Sequence, residues 1–376
     1  MTVKYFDSNM TGAPVMSGTA GSLINVLDAC LITGFNLKTL DSLNVTGAVA
    51  AGTVAAGHGF AVDRFILISG ATPAGLNGER KVIGITSTQF TFAAPGISDG
   101  AASGMVTAKC APVANWIKAF NGTNKSAYKS TDTAASGLFL RVDDTTTTYA
   151  AVRGYESMTD VDTGAGLFPA TAQLAGPCIV KSSTADATAR PWVLIADEKR
   201  FYFFARWHAS YARYGANFFG DIASFKVGDA YRAALVCDTQ SGGGHPSQYN
   251  NFSTVSPGLS SVQVGHYLAR DYNQVGGAVP FGKLGEYVVS TAMGASGMAY
   301  PSPVDNGLYV SGVAVNHGGI LRGIMPGLYQ PLHANPLAHG ATVSDVAGLA
   351  GKTLLAITID IAGSPAQCMI DITGWE

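Results

Sequence analysis

The sequence predicts a mainly β fold. An antiparallel β-sandwich main domain takes residues 1–42 and 111–376 and carries one short N-terminal helix. A small β-barrel or sandwich domain is inserted at 43–110. Three observations predict this. Short runs of β-branched and aromatic residues recur along the chain, separated by Gly-, Ser-, Thr- and Ala-rich connections, which is the pattern of strands and turns. Only one segment keeps helical spacing. The stretch RPWVLIADEKRFYFFARW, residues 190–207, reads as a hairpin that is apolar on both faces rather than alternating. A half-solvated sheet would alternate, so this pair is expected at the centre of the sandwich, covered on both sides.

The elements follow in chain order. Ser22 to Leu31 is the helix: Ser22 is placed to cap it, Leu23, Ile24, Leu27 and Leu31 recur at helical spacing, and Gly34 stops it. Within 43–110, Phe65–Ile68, Arg80–Ile85 and Gln89–Phe92 are strands separated by tight-turn chemistry, and the spacing suggests about six strands in all. Residues 136–158 form a hairpin that turns at Asp143–Thr147. In the 190–207 hairpin the turn is Asp197–Lys199. Phe218, Phe219, Phe225 and Tyr231 stand among glycines in 217–238. Residues 239–262 are turn-rich and poor in apolar side chains, and read as a long exposed loop. Two strands within 349–360 and 367–375 close the chain.

Charge is scarce. Asp, Glu, Lys and Arg make up 13% of the chain, against roughly 25% in a typical soluble domain. Glycine numbers 46, and the net charge is -2. No basic field is present to hold phosphates, so nucleic acid is not an expected partner. No stretch approaches the ~20 apolar residues of a membrane-spanning helix, and no secretion signal is expected in the first ten residues. Cys30, Cys110, Cys178, Cys237 and Cys368 are scattered and odd in number, as for free thiols made in a reducing cytoplasm. Because charged residues are depleted at the cores of interfaces, so low a charge content predicts extensive contacts with other copies of the chain.

Motifs for chemistry are incomplete. Val161–Gly164 reads VDTG, but the paired-carboxylate chemistry of that string needs a second copy, and none is present. Gly277–Lys283 has phosphate-loop glycine spacing, yet Leu284 stands where a hydroxyl is required. Gly351–Thr353 has the hydroxyl, but Val346 replaces the first glycine. No GxSxG elbow occurs, and HGG at 317–319 is weak alone. The histidines lack metal spacing, with His333 and His339 six apart around a proline, so they read as loop residues bonding backbone carbonyls. Asp160 and Asp162 could begin a calcium loop whose later ligands are missing. Glu156, Asp160, Asp221 and Asp229 are the carboxylates that could converge from distant strands. The expectation is a non-enzyme without cofactor or metal.

The inserted segment AAGHGFAVDRFILISGATPAGLNGERKVIGITSTQFTF resembles a small β-module of tailed-bacteriophage structural proteins. The marks are His-Gly-Phe before a polar step, Ser-Gly-Ala, Leu-Asn-Gly and the Thr-Ser-Thr-x-Phe-Thr-Phe close; the polar step departs from the usual pattern at Val62-Asp63-Arg64. The N-terminal 5–35, Ala151–Asp160, FFGDIASFKVGDAY and GILRGIMPGLYQPLH also look like phage virion proteins. This resemblance implies a structural subunit of the particle, in the tail or tail tip. Such a subunit folds in the host cytoplasm, ends in the virion, and assembles as a homo-oligomer with other virion proteins. A capsid decoration or fibre protein is the alternative, as is a host-attachment protein that binds carbohydrate.

Two candidate surfaces follow. In RGIMPGLYQPLH, Arg322 supplies a rigid bidentate donor, Pro326 and Pro331 exclude a central strand, and Gly323 and Gly327 allow positive φ. The segment therefore reads as a shaped loop including Tyr329. It serves either as an inter-subunit contact, with Arg322 bridging a carboxylate, or as an internal cover over one end of the sheet. Tyr211, Tyr214 and Phe218 form an aromatic-rich stretch suited to a sugar platform or to core packing.

Overall fold

The computed structural model describes residues 2–239, 265–284, 298–333, 336–344, 346–361 and 364–375. The long loop expected at 239–262 lies outside the described residues beyond Thr239, as does His245.

Three antiparallel sheets stack to form the main domain, so the fold is mainly β with one short helix, as the sequence predicts. The middle sheet runs in the order Lys4–Asp7, Trp192–Ala196, Arg200–Ala205, Gly215–Asp221, Ala233–Val236, His266–Leu268 and Val279–Pro280. The 192–205 hairpin lies near its centre, with Val193 opposite Phe204 and Ile195 opposite Tyr202. Side chains alternate between two separate cores. Leu194, Phe201, Phe203, Phe219 and Leu235 pack on one face, with the helix and with Tyr128, Leu140, Val142 and Val152 of a second sheet. Val193, Ile195, Tyr202, Phe204, Phe218 and Val236 pack on the other, with Val313, Val315, Ile357, Ile359, Cys368 and Ile370 of a third. Both faces are apolar because the chain covers both itself. Each large side chain so buried contributes about 1.5–3 kcal/mol.

The second sheet contains Trp116–Gly122, Lys125–Ser130, Phe139–Asp143, Tyr149–Met158, Pro177–Val180 and Asp238–Thr239 in order, with Gly164–Phe168 beside Tyr149–Met158. The third contains Gly282–Leu284, Val310–His317, Ile320–Pro331, Ser364–Asp371, Thr353–Ile361 and Thr342–Ser344, with Ala223–Ser224 crossing from the middle layer to pair with Ile320–Pro331.

The helix spans Ser22–Asp28 and runs into a wider turn at Ala29–Thr33, which ends at Gly34 with φ +71°. Its expected cap is different. Ser22 Oγ donates instead to the Ser17 carbonyl. Asp144, more than a hundred residues along the chain, accepts the Leu23 and Ile24 N–H groups at 2.8 and 3.2 Å. Asp144 also contacts the Lys181 ammonium, and both side chains are wholly buried.

The inserted unit is an eight-stranded sheet in the order Phe35–Thr39, Thr107–Cys110, Phe65–Ser69, Gly78–Ile85, Gln89–Ala93, Val49–Thr53, Ser42–Thr46 and Gly100–Ala101. It therefore takes in Phe35, which pairs with Cys110, as well as the 43–110 segment marked out from sequence. Leu43, Val45, Ile66, Ile68, Leu76, Val82, Phe90 and Phe92 fill its own core. Its marked residues are structural. His58 Nδ1 accepts the Phe60 N–H at 2.9 Å while Nε2 donates to the Thr86 carbonyl at 2.9 Å, linking the His-Gly-Phe and Thr-Ser-Thr strings. Asn77 bonds both the N–H and the C=O of Ala71. At Gly70 a Cβ would lie 2.1 Å from the Met105 carbonyl oxygen, so no other residue fits.

The unit is anchored on the main domain. The buried Lys4 ammonium meets Glu79 and the Pro112 carbonyl. The Arg64 guanidinium stacks 3.8 Å over the Tyr5 ring, donates to the Tyr5 carbonyl at 2.6 Å, and lies 3.5 Å from Asp7. A cavity of about 510 Å³ runs along this joint, lined by Lys4, Tyr5, Arg64, Lys81 and Thr373 among others.

All five cysteines are free and buried. Burial pushes the Cys110 thiol up to about 12.

Phe203→Ala should lower the unfolding free energy by about 3–5 kcal/mol in urea titrations, because it opens a void between two layers. His58→Leu should cost about 1–3 kcal/mol by leaving the Phe60 N–H and Thr86 C=O unpaired. Hydrogen exchange should place that loss within residues 35–110.

Candidate subunit-contact surface

The segment expected to be a shaped loop is a strand. Ile320–Pro331 pairs with Val310–His317 along most of its length. Prolines fit because the strand is interrupted between Ile324, opposite Ala314, and Tyr329, opposite Gly312. Pro326 and Gly327 sit in that bulge. The strand leaves Ala223–Ser224 before it and joins Ser364–Asp371 after it. Gly327 has φ +67°, and a Cβ there would lie 2.1 Å from Trp375 Nε1. The Pro326 carbonyl accepts the Tyr202 hydroxyl at 2.8 Å. Tyr329 is half-buried and Pro331 buried opposite Val310.

Arg322 points inward. Its guanidinium grips Asp229 with two hydrogen bonds of 2.9 Å, and both side chains are almost wholly buried. Asp229 also accepts Ser224 Oγ at 2.6 Å, and Arg322 Nη1 lies 3.4 Å from the Arg270 carbonyl. The carboxylate that Arg322 bridges is thus its own chain's. This pair ties together residues 223–229, 270–274 and 320–324. Gly323 lies so close to the 223–229 segment that a Cβ would meet the Ala223 carbonyl oxygen at 2.2 Å. Gln274 adds a bond to the Gly228 carbonyl.

Around that inward pair the same segments and the adjoining Val275 carry exposed apolar side chains, which make up an apolar corner. Phe225 is 60% exposed, Val227 96%, Val275 71% and Leu321 50%. Tyr272, Ile320 and Ile324 are also exposed. Beside it, Arg270 binds Glu156 through two bonds of 2.6 Å and stacks 4.0 Å over Tyr231. The Glu156 carboxylate raises the Arg270 pKa above its ordinary value. Sequence reasoning did not mark Asp229 as the partner of Arg322, nor Val227 as exposed. The signal was the Phe-Lys-Val-Gly-Asp turn, in which an aromatic and a β-branched residue flank a lysine just before an acidic glycine turn.

The second candidate surface does not form. Phe218 and Tyr214 are buried in the core between the middle and third sheets. Tyr214 stacks on His339 at 4.5 Å, while Tyr211 is exposed and stacks on His208 at 4.3 Å. Phe218 lies on Gly215–Asp221, a strand of the doubly covered sheet whose two faces are both buried.

Two of the four candidate carboxylates, Asp221 and Asp229, line one open cavity of about 560 Å³ together with Ser136, Lys199, Arg200 and Arg232. Asp221 accepts Ser136 N–H and Arg232 Nε, each at 2.8 Å, and also bonds Ser136 Oγ. Both carboxylates act as counter-ions for arginines. Glu156 and Asp160 lie elsewhere, and Asp162 of VDTG pairs with Lys125 and Arg141 in a turn. Gly351 and Lys352 form a turn into Thr353–Ile361, and Gly318–Gly319 turn one strand into the next. His333 Nε2 accepts the Tyr309 N–H, and His339 Nδ1 accepts the Thr358 N–H. Among the described residues no group of three or more His, Cys, Asp or Glu is placed to hold a metal. Comparison of the chain with protein-family models and with curated proteins finds no match.

Arg322→Met should destabilise the chain by about 3–5 kcal/mol, since it strands the buried Asp229 charge. Arg322→Met with Asp229→Leu should recover most of that loss. Thermal unfolding of the two variants checks this, and equal losses would show that the pair does not hold the corner.

Proposed function

We propose that this chain is a structural subunit of a bacteriophage particle, in the tail or tail tip, and that it works by assembling with copies of itself. The observation that carries the assembly reading is the apolar corner of Phe225, Val227, Val275 and Leu321, held by the buried Arg322–Asp229 pair. Contiguous exposed apolar surface rimmed by polar groups marks interaction sites. Interface cores are enriched in aromatic side chains, and Phe225 and Tyr272 stand exposed in these segments. Head-to-tail contacts through such a corner close into a ring when the rotation between copies closes.

The placement in a phage particle rests on the resemblance of the inserted module and of the main-domain segments. A capsid decoration or fibre subunit would use the same corner, and location in the particle separates these. The carbohydrate-attachment reading keeps only Tyr211 of its three aromatics at the surface.

Light scattering after size exclusion should give a multiple of the chain mass. Phe225→Asp with Val227→Asp should shift it to a single chain with an unchanged circular dichroism spectrum. A wild-type protein that stays a single chain at high concentration would overturn the assembly reading. Absence of the chain from purified particles would overturn the virion reading.

A further inference from the structure

We propose that Lys181 and Asp144 condense into an intramolecular amide bond, so that the mature chain carries a covalent cross-link between the turn after Phe139–Asp143 and the end of Pro177–Val180. The inference does not depend on the assembly reading.

The geometry brings the amine and the carboxyl into contact and sets two backbone donors on the carboxyl. The Lys181 ammonium contacts Asp144 Oδ1, and neither residue exposes any side-chain surface. Lys181 Nζ also donates to the Thr19 carbonyl at 2.6 Å, which helps to hold the amine beside the carboxyl group. The other oxygen, Oδ2, accepts the Leu23 and Ile24 N–H groups at 2.8 and 3.2 Å. Two backbone donors on one carboxyl oxygen are the arrangement that stabilises the oxyanion of a tetrahedral intermediate in acyl transfer.

The backbone on both sides is held. The Asp144 N–H bonds the Asn124 carbonyl, the Asp144 carbonyl accepts the Gly21 N–H, and the N–H groups of Lys181 and Ser182 both bond the Thr148 carbonyl. Two reactants fixed in contact react as an intramolecular pair, with effective concentrations far above those in solution. Burial is the largest influence on both groups. It raises the Asp144 pKa and lowers that of Lys181, each against the opposing charge of its partner. Both shifts lower the cost of the proton transfer from Lys181 to Asp144 that must precede condensation.

The step balances without a co-reactant. One proton passes from the Lys181 ammonium to Asp144 Oδ1. Nζ attacks Cγ, and the charge that develops on Oδ2 is held by Leu23 and Ile24. A second proton moves from nitrogen to Oδ1, the Cγ–Oδ1 bond breaks, and water leaves. The Nζ–Cγ bond is formed and nothing is oxidised or reduced. In a site closed to solvent, the return reaction lacks its water.

The test is the mass of the purified full chain under denaturing conditions, with tandem mass spectrometry of its tryptic peptides. The expected result is a chain lighter by one water than its sequence, resistant to trypsin at Lys181, with a branched peptide joining the Asp144 and Lys181 segments. Lys181→Arg should restore the sequence mass. Asp144→Asn should form the same bond with loss of ammonia. A wild-type chain at full sequence mass that trypsin cleaves after Lys181 overturns the proposal. That result is readable whether or not either variant folds.

Discussion

A sheet whose two faces are both apolar must be covered twice, and the rest of this architecture follows from that requirement. Strands 192–196, 200–205 and 215–221 present aromatic and aliphatic side chains alternately to two cores. Exposing either face would uncover a row of phenylalanines. The chain answers with one sheet on each side and a short helix that fills the first core beside Tyr128 and Phe168. Aromatic contacts then lock the layers edge to face. Trp116 meets Phe201 at 5.6 Å on one side, and Tyr202 meets Trp375 at 5.3 Å on the other, with the offset and tilted geometries that ring quadrupoles favour.

The same constraint changes the meaning of the charge content. A doubly covered sheet has no solvent face, so a central layer of the molecule needs almost no ionic side chains. Part of the shortage of charge is therefore interior. The part that the layers do not explain lies at the surface, in residues such as Val227, which no layer covers. Composition alone cannot divide the two. Burial residue by residue does so, and it picks out individual exposed apolar side chains, Phe225, Val227, Val275 and Leu321 among them, together with Val304, Met105, Leu37 and Val15.

Local signals were legible where local rules decide the outcome. The 192–205 hairpin and its Asp197–Lys199 turn, the 139–158 hairpin, and the strands at 65–69, 78–85 and 89–93 all stand where β-branched and aromatic runs meet turn residues. The misreadings share a cause, which is that partners distant in the chain overrode local preference. Pro326 and Gly327 look like breakers, yet they fit a strand that changes neighbours at that point. Ser22 looks like a cap, yet Asp144 arrives from another sheet to take its place. For Tyr211, Tyr214 and Phe218 the sequence left a platform and core packing both open, and the third sheet puts Tyr214 and Phe218 in the core. The number of layers was hidden for the same reason, since no window of sequence states which sheet will cover which face.

The buried charges make a further point about what the fold is built to hold. Asp144–Lys181 and Asp229–Arg322 each join segments far apart in the chain, and the buried Lys4 does the same with Glu79, whose side chain is 36% exposed. Desolvation consumes much of the attraction in such pairs, so their net contribution to stability is small even though losing one partner is costly. Their effect is orientation. Lys4 fixes the inserted unit on the body, Asp144 fixes the helix on the second sheet, and Arg322 fixes the outward corner from behind. A corner held this way has little freedom left to lose when another chain covers it, and preorganised surfaces associate at lower entropic cost. The Arg322–Asp229 pair keeps the corner's shape from behind, while Lys226 and the Arg270–Glu156 pair put charge among and beside the exposed apolar side chains.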